Sequence, residues 1–265
     1  MDGVWLISFM LSQFITAREF MSKKLVSAHT GSNVSRAVKS MVDHDIGSVI
    51  VEDSGGPVGI FTERDLLSKV LARQRKLEEP VLMEVMTPSF NILSPEATLT
   101  DAAKIMREKK GRLVVFEGEK PIGMITSTDI VREIGNFGRR FDFKSAYSGN
   151  VYEEGPRSKV ELIVQLMDKR RVGSVLVSEG RFSRGIFTER DLLRAILTSE
   201  FSMDSYVENY STHYLITAEE DIDGLDAAKI MIERRIKRLP LVRSGKIVGI
   251  VTARDLVEAF ANSSF

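Results

Sequence analysis

A chain of 265 residues is long enough for one large domain or two of ordinary size, each able to bury a hydrophobic core. Apolar residues make up 43% and charged residues 28%, and 37 basic side chains balance 37 acidic ones, so charge gives no support to a nucleic-acid partner. The chain has no cysteine, which excludes disulfides, thiolate nucleophiles and cysteine-bound zinc and makes the cytoplasm the expected compartment.

The first segment of the chain is apolar, and we predict that residues 1–14 form a helix or an extension packed on the body. It contains polar Ser8, Ser12 and Gln13, no basic stretch precedes it, and it is too short to cross a bilayer. A signal peptide is the alternative, because the length matches the apolar region of such peptides. We expect no membrane span.

An internal repeat dominates the rest of the sequence. The string GIFTERDLL occurs twice without change, from Gly59 and from Gly185, and looser copies, GMITSTDIV and GIVTARDLV, start at Gly123 and Gly249. Successive copies start 62 to 64 residues apart. Because the first and third copies resemble each other most, as do the second and fourth, the pattern indicates duplication of a module that was already paired.

Periodicity within one copy predicts a β-α-β-β-α unit. In the second copy, apolar residues recur at helical spacing between Leu99 and Met106, and two short apolar runs, 113–116 and 122–126, flank a turn. An α/β fold of four such units follows, each too small to bury its open sheet alone. The predicted limits of the four repeats are 15–75, 80–138, 139–200 and 203–262, with the break between the two pairs near 139–150.

Each copy places a threonine at the end of a strand and an aspartate three residues later. The pairs are Thr62 and Asp65, Thr126 and Asp129, Thr188 and Asp191, Thr252 and Asp255. A capping box, in which both side chains satisfy backbone N–H groups at a helix start, explains this spacing without any ligand.

Three further features favour a nucleoside phosphate. An arginine stands directly before the aspartate in three copies, at Arg64, Arg190 and Arg254, where it could hold a phosphate near the helix start. The glycine three residues before each threonine removes a side chain where a flat ring could approach the backbone. The carboxylate could accept hydrogen bonds from both hydroxyls of a ribose.

The pattern G-h-x-T-x-x-D, with h an apolar residue, closing a β-α-β-β-α unit and repeated in pairs, resembles the CBS domain, named for cystathionine β-synthase. The resemblance covers nearly all of residues 15–260. It implies two Bateman modules of two units each, assembled into a flat pseudo-symmetric disk. It also implies clefts that bind AMP, ADP or ATP, with the motif aspartates holding ribose and the motif threonines contacting ribose or phosphate.

The resemblance extends the expected site beyond the motif. Arg112 and Arg238, ahead of the second strand of the even-numbered repeats, are candidates for reaching a phosphate, and a solvated helix end is the alternative for both. Adenine is expected to lie against strand backbone and the segments that lead into the repeats. The residues expected there are Gly47, Gly173, Pro240, Ser27, Ile92 and Ile216.

Departures from the pattern predict unequal sites. The second copy has Thr128 in place of arginine, so its phosphate affinity is weaker or depends on Arg132, and the third repeat begins with an acidic segment, 147–155. We expect about two occupied clefts, one per module.

The function expected from the sequence is regulatory: a non-enzymatic sensor of AMP, ADP or ATP that changes conformation and acts on an unidentified partner protein. No cofactor is required, the histidines His29, His44 and His213 lack metal-ligand spacing, and no catalytic motif is found. The alternatives are a ligand-free scaffold for protein interaction, a sensor of NAD or S-adenosylmethionine, and a DNA-associated regulator. The chain would act as a monomeric pseudo-dimer or as a homodimer.

Overall fold

A computed structural model describes residues 15–109, 111–180 and 182–263, so the predicted helix or extension over 1–14 lies outside the described residues. The first half of the chain forms two repeats. Its elements in chain order are α1 (Ala17–Phe20), β1 (Ser27–His29), α2 (Val34–Asp43), β2 (Ser48–Asp53), β3 (Gly56–Thr62), α3 (Glu63–Asp65), a π-helical turn (Leu66–Val70), a 3-10 turn (Leu71–Arg73), α4 (Leu82–Val85), β4 (Asn91–Leu93), α5 (Leu99–Lys109), β5 (Leu113–Glu117), β6 (Lys120–Ile125) and α6 (Ser127–Phe137).

The second half repeats this order. Its elements are β7 (Glu153–Glu154), α7 (Val160–Arg170), β8 (Ser174–Glu179), β9 (Phe182–Thr188), α8 (Glu189–Ala195), a 3-10 turn (Val207–Asn209), β10 (Thr212–His213), β11 (Ala218–Glu219), α9 (Gly224–Glu233), β12 (Arg238–Arg243), β13 (Lys246–Thr252) and α10 (Ala253–Ser263). The predicted α/β class and the β-α-β-β-α order of the four repeats are therefore confirmed.

Each repeat builds a small mixed sheet. In the first, β1 pairs with β2 in parallel across the crossover helix α2, and β2 pairs with β3 antiparallel, so that Ser48 faces Thr62. The same register recurs in the fourth repeat, where Arg238 faces Thr252. This topology brings the end of each motif strand beside the start of the strand before it.

A short segment extends each sheet beyond its motif strand. Thr87 pairs with Ile60 of β3, and Ser22 pairs with Met124 of β6. The strand β10 pairs with β9, and Ser148 pairs with Ile250 of β13. Each motif strand is therefore hydrogen-bonded on both sides.

The helices supply the apolar faces that the sheets need. In α2, the buried residues Val34, Ala37, Val38 and Met41 lie at helical spacing, and the exposed face is polar. Asp223 caps the start of helix α9, and its carboxylate accepts hydrogen bonds from two N–H groups of the first turn. Amphipathic helices with defined starts explain why the repeats pack through these faces.

The described chain divides into two compact units, and each combines repeats that are not consecutive. Residues 26–89 and 152–215 form one, which we name the 1·3 unit, and residues 15–25, 90–151 and 216–263 form the other, the 2·4 unit. Each has its own hydrophobic core. Phe61 and Phe187 are fully buried in the 1·3 unit, at equivalent positions of the first and third repeats.

Two segments pack not on the repeat to which the sequence assigns them but on the next one along the chain. The N–H of Ala17 donates to the carbonyl of Ala97, at 2.8 Å, so residues 15–25 lie on the second repeat although the predicted limits place them in the first. Residues 139–151 lie likewise on the fourth repeat, where the N–H of Gly224 donates to the carbonyl of Phe141. The four limits, the pairing of consecutive repeats and the disk stay predictions.

Candidate functional site

The motif threonine and aspartate form a capping box in every repeat. In the first, the inner oxygen of Asp65, Oδ2, accepts hydrogen bonds from the N–H of Thr62 at 3.0 Å and from its hydroxyl at 2.6 Å. The equivalent pairs of distances are 2.8 and 2.7 Å at Thr126 and Asp129, 2.9 and 2.7 Å at Thr188 and Asp191, and 2.8 and 2.8 Å at Thr252 and Asp255.

This cap alone does not distinguish a ligand site. Thr98 and Asp101 form the same box at the start of α5, away from the motif, with distances of 3.0 and 2.7 Å. The capping interpretation is therefore confirmed as local structure, and within the motif carboxylate the four repeats can differ only at the outer oxygen, Oδ1.

The outer oxygen differs in all four repeats. Asp65 Oδ1 lies 2.7 Å from the ammonium of Lys69 and accepts a hydrogen bond from the hydroxyl of Thr87 at 3.0 Å. Asp191 Oδ1 accepts one hydrogen bond, from Thr212 at 3.1 Å. Both threonines stand in the segments that extend the sheets.

In the 2·4 unit, Asp129 Oδ1 contacts the guanidinium of Arg132 at 3.1 Å. The same guanidinium lies 3.0 Å from Glu133 and donates to the carbonyl of Phe20 at 2.8 Å, so Arg132 is held on three sides. Among the described residues, Asp255 Oδ1 has no hydrogen-bond partner. The fourth repeat is thus the one in which this oxygen faces no donor of the described chain.

Two of the three motif arginines are engaged in a reciprocal pair of ion bridges inside the 1·3 unit. Arg64 lies 2.8 Å from Glu189, and Arg190 lies 2.7 Å from Glu63. Both glutamates are largely buried, with side chains 10% and 11% exposed. Arg190 also lies 3.4 Å from Asp45.

Arg254, the third motif arginine, is exposed and makes no hydrogen bond or ion pair within the described part of the chain. Burial raises the pKa of the adjacent Asp255, and the charge of Arg254 opposes this rise only in part. The residues equivalent to the two bridging glutamates are Ser127 and Ala253, which explains why no reciprocal bridge forms in the 2·4 unit.

The four motif aspartates also differ in how far they are buried. Asp65 and Asp129 are buried, whereas Asp191 and Asp255 are half-buried. Burial raises the pKa of Asp191 and of Asp255 above the ordinary value of 3.8, and the hydrogen bonds from Thr188 and Thr252 oppose it.

The motif glycines do not leave room for a ring, and the interpretation offered for them from the sequence is wrong. A Cβ on Gly59 would lie 2.5 Å from the carbonyl oxygen of Thr87, and one on Gly185 would lie 2.5 Å from that of Thr212. At Gly249 the ring of Tyr147 fills the same place. The glycines are needed because segments of this chain cross the motif strand there.

The segment over Gly249 is fixed by a side-chain cluster. The hydroxyl of Tyr147 donates to Glu220 at 2.9 Å, and Arg243 pairs with the same carboxylate. These two donors hold the pKa of Glu220 at about 2, below its ordinary 4.5.

Some of the other predicted residues lie beside the motif. The carbonyl of Gly47 accepts the N–H of Glu63 at 3.2 Å, and that of Gly173 accepts the N–H of Glu189 at 3.1 Å, so both glycines border the motif helices. Arg238 faces Thr252 across the strand pair, and Pro240 is buried opposite Ile250.

The remaining predicted residues lie elsewhere in their repeats. Ser27 and Ile92 are exposed on β1 and β4, at the sheet edge opposite the motif strand, and Ile216 is half-buried. Arg112 is half-buried next to the start of β5. Their assignment to adenine or phosphate stays a prediction.

Sequence reasoning missed the groups that satisfy the outer oxygens. Lys69 stands four residues after Asp65, a spacing that places two side chains on one helical face, so this contact had a readable signal. Thr87 and Thr212 had none, because each lies more than 20 residues from its aspartate.

Neither a metal site nor a membrane-spanning helix occurs in the part of the chain that the structure describes. No group of three or more histidine, aspartate or glutamate side chains has the arrangement of a metal site. No helix combines the length and the apolar character that crossing a membrane requires.

Comparison with known proteins gives related sequences and folds. A protein from Thermofilum pendens is 28% identical over 193 residues, 67% of this chain and 63% of its own length, and MJ1225 from Methanocaldococcus jannaschii is 28% identical over 185 residues, 62% of this chain and 65% of its own. The chain thus spans less than two thirds of these relatives. Both are described as uncharacterized.

The fold matches solved structures over most of the chain. The crystal structure of MJ1225, proposed to be an archaeal homologue of g-AMPK, superimposes with a TM-score of 0.80 at 19% identity and covers 93% of this chain and all of that one. A conserved protein from Pyrococcus horikoshii gives 0.65 at 20% identity with the same coverage. The family model of the CBS domain matches residues 17–72, 82–136, 155–198 and 207–262, and the chain therefore belongs to the CBS domain family, with four copies of the domain.

Proposed function

We propose that this protein is a regulatory sensor that binds AMP, ADP or ATP and passes the binding on to a partner protein as a change of conformation. The ligand leaves unchanged, so the proposal contains no catalytic step. The cytoplasm is the proposed compartment.

The observation that carries the proposal is the group of polar side chains around Asp255 in the fourth repeat. Thr252 holds the inner oxygen of Asp255, which leaves Oδ1 for a ligand, and the exposed Arg254 stands next to it. Arg238 begins the neighbouring strand opposite Thr252. A carboxylate for a ribose diol and two guanidinium groups for phosphate are the groups that a nucleoside phosphate requires.

Two supporting facts come from relatives. Membership of the CBS domain family implies an adenosine ligand, and MJ1225, which shares the fold, is proposed to be a homologue of g-AMPK. The second candidate is a scaffold without ligand, favoured by Asp65, whose two oxygens are both engaged by groups of the chain. A sensor of NAD or S-adenosylmethionine would use the same ribose contact.

The test is calorimetric titration of the full chain with AMP, ADP, ATP, NAD and S-adenosylmethionine, with 2′-deoxy-AMP as the control for the diol. We expect an adenine nucleotide to bind, and 2′-deoxy-AMP to bind about tenfold more weakly because one hydrogen bond to a charged group is lost. Absence of heat and of thermal stabilisation with all five compounds at millimolar concentration would support the scaffold instead.

Replacing Arg254 with alanine is expected to weaken ATP binding about tenfold and to leave adenosine binding within about twofold, because only the phosphates need the guanidinium. Arg234→Ala is the matched control, since Arg234 is also an exposed arginine of the 2·4 unit. Titration of both variants with both ligands measures the effect. Equal losses for ATP and adenosine would contradict this role of Arg254.

Adenosine affinity is expected to fall on acidification, because only the ionised Asp255 accepts two hydroxyls. Burial raises its pKa above 3.8, so the loss begins at a higher pH than for an ordinary aspartate. Adenosine carries no phosphate whose titration could cause the same change. Affinity that stays constant from neutral pH to about pH 4 would contradict the role of the carboxylate.

The contribution of Asp255 to the stability of the ligand-free protein changes with pH in the opposite direction to the adenosine affinity. A carboxyl whose folded-state pKa is raised contributes stability below its unfolded pKa and loses it as the pH rises through the folded value. The ligand-free protein therefore gains stability from Asp255 where adenosine affinity falls, and thermal shifts have to be referenced to the free protein at each pH.

A further inference from the structure

The four motif aspartates differ in how many hydrogen bonds they can still accept. A carboxylate has about four acceptor positions, two on each oxygen. The threonine cap uses both positions of the inner oxygen in every repeat, so a ribose diol, which donates two hydrogen bonds, has to be accepted by the outer oxygen.

In the first repeat both outer positions are already taken, one by Thr87 at 3.0 Å and one by Lys69 at 2.7 Å. Lys69 is itself held in place, since its ammonium also donates to the carbonyls of Val85 and Met86, each at 2.9 Å. A ligand would therefore have to displace a cation that two carbonyls of the chain also hold, or leave that cation without its carboxylate, which is unfavourable.

The second and third repeats keep one outer position each, because Arg132 takes one at Asp129 and Thr212 takes one at Asp191. In the fourth repeat the described residues take neither position at Asp255. The residue at the place of Lys69 is Ala259, which brings no cation.

On the basis of the proposed function, we infer that the fourth repeat is the principal adenosine site and that the first repeat is closed by the chain's own Lys69 and Thr87. The four copies of the motif thus have different roles. One holds the ligand through its diol, one is a structural cap, and two have an intermediate capacity.

Photolabelling of the full wild-type chain with 8-azidoadenosine, followed by peptide mapping, tests the inference without any substitution. The label is expected within residues 203–262. Labelling mainly within residues 26–75 would overturn the inference and leave the proposed function standing. Failure of adenosine and of every adenine nucleotide to bind would instead overturn the proposed function.

Substitutions give a second, independent readout. Asp255→Asn is expected to weaken adenosine binding about tenfold or more. The matched control Asp101→Asn disturbs an equal capping box outside the motif and is expected to stay within about twofold. Equal affinities of the two variants would overturn the inference.

Opening the first repeat is the converse experiment. The double variant Lys69→Met/Thr87→Val removes both groups from Asp65 Oδ1, and equilibrium dialysis with labelled adenosine is expected to show one additional site per chain. An unchanged stoichiometry in a variant that unfolds at the wild-type temperature would overturn the closure of the first repeat. If the variant does not fold, the photolabelling of the wild type decides.

Discussion

We expect Glu63→Ala to lower the free energy of unfolding by about 2 kcal/mol, because the guanidinium of Arg190 then loses the carboxylate with which it forms an ion bridge. The side chain of Arg190 is only 19% exposed, so water replaces the lost carboxylate incompletely. Asp45, at 3.4 Å, keeps part of the interaction. Denaturant unfolding followed by circular dichroism measures the change.

A surface pair provides the control for this prediction. Lys39 and Asp43 form an exposed ion pair at 3.0 Å, with side chains 69% and 51% exposed. Lys39→Ala is expected to cost less than about 0.5 kcal/mol. Similar losses for Glu63→Ala and Lys39→Ala would show that the reciprocal bridge adds nothing beyond a surface contact, and the cycle with Arg190→Ala isolates the coupling.

Gly59→Ala is expected to destabilise the protein by about 2 kcal/mol, although alanine ordinarily suits a strand better than glycine does. The added Cβ would lie 2.5 Å from the carbonyl oxygen of Thr87 and 2.8 Å from the sulfur of Met86. The carbonyl cannot withdraw without lengthening its hydrogen bond with the N–H of Ile60, now 2.9 Å. Thermal unfolding of the variant measures the loss.

The same substitution at Gly155 is the control, because the nearest atom to its Cβ would be a hydroxyl oxygen 3.9 Å away. Gly155 also lies in the 1·3 unit. A destabilisation of Gly59→Ala no larger than that of Gly155→Ala would mean that the segment at Thr87 moves freely.

The fold of each repeat could be predicted because it depends on local patterns. The alternation of apolar runs around Glu117–Pro121 and the helical spacing from Leu99 to Met106 specify β5, β6 and α5 within one copy, and three other copies repeat the information. The capping box was readable for the same reason, since its partners are three residues apart.

The partners of the site could not be predicted in the same way. Whether the outer oxygen of Asp65 is available depends on Thr87, which approaches from elsewhere in the chain, and no described residue donates to the same oxygen of Asp255. The ion bridges from Arg64 to Glu189 and from Arg190 to Glu63 could not be predicted either, because each joins the motif copy at Gly59 to the one at Gly185. A motif read one copy at a time shows neither contact.

The combination of non-consecutive repeats has a consequence for synthesis on the ribosome. Residues 90–138 are made long before residues 216–263, with which they share a core. Residues 26–89 are likewise made long before residues 152–215, with which they form the 1·3 unit. The nascent chain therefore exposes the apolar faces of its early helices until a distant partner emerges, and cores joined by such distant segments form slowly. The 1·3 unit can close first, and the 2·4 unit closes only when the last helix, Ala253–Ser263, has been made.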